Sequence, residues 1–158
     1  MVARGPTLAP DRETATGSLH VLGLPSLEAA TEFVEREPNN RAGVYAEHRI
    51  WAFENLLGRT MWELAGEDGE PRFLVIAHAD RGRGTSAAAR PVAALGPELR
   101  ERLIIYGALT DPEDGETVGV ALALRAPGSD AALALLRDEG IDAPPNVEVH
   151  DWELGGRR

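Results

Sequence analysis

The sequence predicts an α+β fold of antiparallel strands with few helices, and three observations carry that prediction. First, the chain repeats itself at a constant offset of 102 residues, with Gly5, Pro10, Gly17, Leu22, Pro25, Ala29, Ala30 and Glu37 recurring as Gly107, Pro112, Gly119, Leu124, Pro127, Ala131, Ala132 and Glu139. Second, apolar runs of strand length, such as residues 73–79 and 104–109, are bounded by turn residues. Third, two stretches with helical spacing, after Pro25 and after Pro127, present matching apolar faces. An offset this long in a chain with one and a half copies means duplicated units and not a solenoid.

Composition bounds the rest. Hydrophobic residues make up 43% and charged residues 27%, as in a soluble globular protein. Aromatics are only 5%, so the core must be built from Leu, Val, Ala and Ile. A formal net charge of −10 argues against nucleic acid or an anionic membrane as partner, because both demand clustered basic charge. The absence of cysteine removes disulfides, thiol catalysis and cysteine metal sites. The first twenty residues hold no signal-peptide core, so a cytoplasmic location is expected.

Residues 18–24 are expected to be a strand. Ser26 is a good N-cap for the helix that follows, and Glu28 sits where the helix dipole favours an anion. Pro38-Asn39-Asn40 ends that helix, and residues 44–53 form the next strand. The first copy, residues 1–64, thus reads as a β-α-β half unit. Residues 65–71 are short, acidic and glycine-bearing, which marks a linker. In the second copy, residues 72–158, residues 73–79 are apolar on both faces and predict a buried central strand. Residues 87–103 predict a helix split at Gly96-Pro97. Strands at 104–109 and 118–126 flank an acidic hairpin turn, followed by a helix at 129–139 and a strand at 146–154. The order β-α-β-β-α-β is the ferredoxin-like one, with helices on one face of the sheet. The first copy lacks the leading strand and helix, so it should pack on the second and share its core. One expectation is that the native chain starts upstream of Met1.

Gly5-Pro6, Gly17-Ser18-Leu19, Pro25-Ser26, Glu28-Ala29-Ala30, Glu37-Pro38 and Ala42-Gly43-Val44-Tyr45 resemble the YCII-related (YciI-like) family. The second copy resembles it from Phe73 through Trp152. The resemblance implies a dimeric α+β barrel, in which two ferredoxin-like units join sheets; tandem units would make that pairing within one chain, and a homodimer stays open. It also implies a His-Asp pair for proton transfer, with an acidic residue ending the first strand and a histidine in the first helix after Arg-Pro. Here Arg90-Pro91 is followed by Val92, Ala93 and Ala94, and Asp80 falls one residue late, with Ala79 at the acidic position. The sequence therefore points to a degenerate member with a non-catalytic role, binding a small molecule or serving assembly; the alternative is a weak acid/base enzyme of lyase or isomerase type.

The catalytic candidates for that alternative are His78 and Asp80, at the mouth of the central strand. His78 as general base with Asp80 setting its tautomer competes with a strand-end histidine bonded to backbone or water. His20, Arg81, Arg90 and Tyr106 are the ligand-binding candidates, and Arg81 lies in the Arg- and Gly-rich loop 80–86, which reads either as an anion cradle or as a solvated loop. No metal and no cofactor is expected, since the four histidines lack ligand spacing. Trp62 is expected to tie the two copies together.

Overall fold

A computed structural model describes residues 1–64, 69–79, 89–141 and 146–156. Seven strands form one antiparallel sheet: β1 (Ala3–Leu8), β2 (Ala15–Val21), β3 (Ala52–Asn55), β4 (Arg72–His78), β5 (Leu103–Thr110), β6 (Thr117–Arg125) and β7 (Val147–Trp152). Their order across the sheet is β2-β1-β7-β4-β6-β5-β3. The helices are α1 (Leu27–Arg36), α2 (Pro38–Arg41), α3 (Pro97–Arg102) and α4 (Ser129–Asp138).

Local chemistry explains the elements. Ser26 Oγ accepts from the Ala29 backbone N–H at 3.2 Å, which satisfies one of the orphan donors at the start of α1. Glu37 breaks the helix, and Pro38 then starts the short α2 at a position where its missing N–H costs nothing. The helix expected over 87–103 is shorter than the sequence reading: α3 begins only at Pro97, where the proline ring suits the first helical turn. Upstream of Gly96 the described residues form no more than a 3-10 turn at Val92–Ala94. Asp111 and Gly115, with φ of 75° at the glycine, close the turn between β5 and β6.

The two faces of the sheet bury different sets of side chains, as the two-residue period of a strand requires. On one face Phe73, Val75 and Ala77 of β4 pack with Tyr106, Leu122 and the helix residues Leu99 and Leu136. The other face collects Leu74 and Ile76 with Ala3, Met61, Ile105 and Trp152, and with the partly buried Val21 and Phe53. Val21 belongs to β2 and Phe53 to β3, at opposite ends of the sheet, so the sheet must curl to bring both into one cluster. The result is a half-barrel, concave on the Trp152 side. Met61 is 2% exposed there, and its backbone N–H donates to Val2 O at 2.9 Å. Trp62 packs on the same cluster beside it.

The hairpins β1–β2 and β5–β6 have the same register at the offset of 102. Arg4 pairs with His20 as Tyr106 pairs with Leu122, and Thr7 with Gly17 as Leu109 with Gly119. Each is interrupted one residue later, between Thr7 and Leu8 and between Leu109 and Thr110. Two further pairings cross between the halves: β1 with β7, and β3 with β5. A Cβ on Gly5 would fall on the carbonyl oxygen of Glu153, and one on Gly107 on that of Glu54. The crossing backbones thus require glycine at both positions.

The first half corrects the sequence reading in three places. It has a strand ahead of the expected ones, β1, so its order is β-β-α-β and not β-α-β. Pro6 lacks a backbone N–H, but its carbonyl accepts from the Glu153 backbone N–H at 3.2 Å, which keeps β1 in the sheet. The second strand runs over Ala15–Val21, ending short of the expected residue 24. The strand expected at 44–53 shrinks to Ala52–Asn55, because pairing with β5 exists only there; Val44 is 66% exposed. Among the described residues no helix is long and apolar enough to cross a membrane.

Candidate functional site: a glutamate between two histidines and an arginine

Alternation along β4 places His78 on the concave face with Leu74 and Ile76. Alternation along β7 places Glu148, His150 and Trp152 on that same face. The register aligns Ile76 with Glu148, and the His78 backbone N–H donates to Asn146 O at 2.7 Å. His78 and Glu148 are therefore diagonal neighbours across the ladder, within reach of each other.

His78 Nε2 lies 2.6 Å from Glu148 Oε1, and His150 Nε2 lies 3.3 Å from Oε2. Arg49 comes from the segment before β3 and donates from Nη1 to Oε1 at 2.9 Å and from Nη2 to Oε2 at 3.4 Å. Its guanidinium lies 5.4 Å from the Trp51 ring centre, and Trp51 meets the His78 ring edge-on at 5.9 Å. His78 and Glu148 side chains are 31% and 30% exposed, so the group is reachable from solvent.

Partial burial pushes the Glu148 carboxyl up, but hydrogen bonds from Arg49, His78 and His150 outweigh it and hold the group at about 2. Glu148 is thus a fixed anion near neutrality and a poor proton acceptor. Its hydrogen bond raises the Arg49 guanidinium above its ordinary value. With Nε2 directed at a carboxylate, the neutral His78 ring carries its proton there and leaves Nδ1 as acceptor. An imidazole oriented by a carboxylate is the arrangement used for general acid-base work.

The remaining sequence candidates are dispersed. Asp80 and Arg81 lie outside the described residues. His20 is on β2, half-buried, its ring meeting Phe33 of α1 edge-on at 5.4 Å. Tyr106 and Arg90 meet each other: the Tyr106 hydroxyl accepts from the Arg90 backbone N–H at 2.8 Å and donates to Arg90 O at 3.0 Å. Arg90 also pairs with Glu139 at 2.6 Å. Tyr106 is 1% exposed and packs on the helix side, opposite the face of His78. Burial raises its phenol above the ordinary value, the Arg90 contacts opposing that rise.

Four residues of the cluster were not among the sequence candidates: Arg49, Trp51, Glu148 and His150. The spacing of Glu148 and His150, two apart on a strand, does put both on one face. Nothing local in the sequence brings either to His78, seventy residues away. Among the described residues no group of three or more His, Asp or Glu side chains is placed to hold a metal ion.

Fold and cluster together define an antiparallel α+β half-barrel with a histidine–glutamate pair on its concave face. Residues 1–54 match the family model of the YCII-related domain, so that stretch is similar to this family. No curated protein and no solved structure matches the chain.

Proposed function

We propose that the concave face is a small-molecule site at which His78 transfers a proton, with Glu148 holding its ring. The observation that carries this is the 2.6 Å contact between His78 Nε2 and a glutamate kept ionised by Arg49. The reading favours the weak acid/base alternative, with Glu148 in the orienting position that the sequence suggested for Asp80. The partial exposure of His78 and Glu148, 31% and 30%, supports a ligand at this pair. The chemistry within reach of one imidazole is proton abstraction or return at a carbon next to a carbonyl, as in isomerase and lyase reactions.

The test is solvent exchange. Small carbonyl acids and lactones are incubated with the protein in deuterium oxide, and loss of the C–H signal is followed by proton NMR. His78→Gln should slow exchange by at least about a hundredfold. Exchange that persists in that variant, or is absent across the panel, removes the catalytic reading.

A second reading is a non-catalytic binding or assembly role. It is favoured by the closing of Arg49, His78 and His150 on one carboxylate, as in a structural ion cluster. Under it, His78→Gln would lower stability and leave ligand-induced shifts in melting temperature unchanged. We also infer that the chain is a tandem of one incomplete and one complete unit, residues 1–64 and 72–158, which pair within the chain. The identical hairpin registers at the offset of 102 support this.

A further inference from the structure

The second half shows what normally stands between the equivalents of β2 and β3. β6 and β7 are both hydrogen-bonded to β4, which lies between them over Arg72–His78. β2 matches β6 in register, and β3 follows α1 as β7 follows α4. β3 also meets Gly107 as the end of β7 meets Gly5. Yet β2 and β3 are the two outer strands of the sheet, and no strand pairs with their outer edges among the described residues.

Three further observations mark those edges as a place for a strand and a helix. β2 is seven residues long and carries no Lys, Arg, Asp, Glu or Pro, so it lacks the devices that protect an exposed edge. A Cβ on Gly119 would fall on Ala77 O of β4, which explains that glycine; Gly17 keeps the same residue type on an edge where a Cβ would meet only Thr7 Oγ1. Helix α1 buries none of its residues, whereas α4 buries Ala132 and Leu136. Beside α1 lies a cleft of about 440 Å³ lined by Met1, Arg4, His20, Leu24 and Phe33. At the offset of 102 these positions become Leu103, Tyr106, Leu122 and Ala126, all in the core cluster that β4 and α3 complete, and Leu135, which packs against it.

We propose that the outer edges of β2 and β3 receive one β-strand and the amphipathic helix after it, from a polypeptide segment outside these 158 residues. The strand hydrogen-bonds to both edges and closes the half-barrel; the helix covers the cleft beside α1. A second copy of this chain is a poorer occupant, because its own strand–helix pair, β4 and α3, is committed to its core. Small ligands cannot satisfy two rows of backbone groups.

The chain carries its own probe for this. A fusion placing a copy of residues 70–102 directly before Met1 puts the copied helix where α3 stands relative to β5. Hydrogen exchange of the β2 and β3 amides should slow by about tenfold or more in the fusion, which stays monomeric. A control fusion with proline at the copied Val75 should lose that protection. Should the fusion not fold, the same segment is added as a separate peptide to the unmodified chain, with the same expected slowing. Unchanged exchange in the folded fusion or with the peptide overturns the proposal, as does equal protection from the proline control. So does an unmodified chain that sediments as a dimer with its β2 amides already slow, since a second copy would then fill the edge.

Discussion

Glu148 stands between Arg49 of the first half and His78 of the second, 2.9 Å from one and 2.6 Å from the other. One carboxylate thus couples the segment before β3 to the central strand β4. Its folded value of about 2 lies below the ordinary 4.5, so the contacts favour the ionised form. Their stabilisation is fully present above about pH 4.5 and is lost as pH falls toward 2. Glu148→Gln should therefore cost about 1–2 kcal/mol at neutral pH, a value discounted because the partners are partly exposed to screening solvent. It should also flatten the fall in stability between those pH limits. Urea unfolding midpoints of both proteins across that range check the prediction.

Gly5 and Gly107 make a matched pair of predictions. Each sits where a backbone carbonyl of the crossing strand occupies the space of a Cβ. Gly5→Ala and Gly107→Ala should each destabilise by about 2 kcal/mol or more, since the clash is with main chain and cannot be relieved by a rotamer change. Gly23, with nothing within 4 Å, is the control. Gly23→Ala should be neutral or slightly stabilising through its effect on the unfolded chain. Thermal melts of the three variants decide it.

These glycines also show what the sequence made legible. The constant offset pointed at Gly5 and Gly107 before any strand could be assigned, because the need for close approach is written as residue type. In the second half β4 to β7 and α4 were readable, because they are apolar runs separated by clear turns, whereas the helix expected over 87–103 is present only as α3. β1 was not, since Ala3–Leu8 contains Arg, Gly and Pro and looks like a loop. Only its alignment on residues 105–110 carries the signal. His78 was visible as a strand-end histidine, but Glu148 becomes its partner through the β4–β7 register, a long-range pairing. Arg49 and Trp51 lay in the segment 44–53, expected to be a strand, which the structure leaves mostly unpaired.

Tyr106 has a role that the helix-side core dictates. Its hydroxyl both accepts from and donates to the Arg90 backbone, and its ring is buried. Tyr106→Phe removes the hydroxyl and leaves that N–H and C=O without their partner. The expected cost is about 1–3 kcal/mol. Because Tyr106 faces away from His78, solvent exchange of any substrate at the concave face should keep its rate. A variant that melts normally but loses exchange activity would place Tyr106 in the site instead.

Val34 and Leu136 occupy equivalent places in α1 and α4, and their surroundings differ. Leu136 is 1% exposed and packs with Phe73, Val75 and Leu99. Val34 is only half-buried, on a helix that buries no residue. Leu136→Ala opens a cavity in a closed core and should cost about 2–5 kcal/mol. Val34→Ala removes contacts from an open cleft and should cost less than about 1 kcal/mol. Equal costs in chemical denaturation would mean that α1 is as well packed as α4, and that the first half holds a core of its own. In the fusion carrying the extra strand and helix, the cost of Val34→Ala should rise toward that of Leu136→Ala, because the covered cleft would then leave a cavity where the side chain had been.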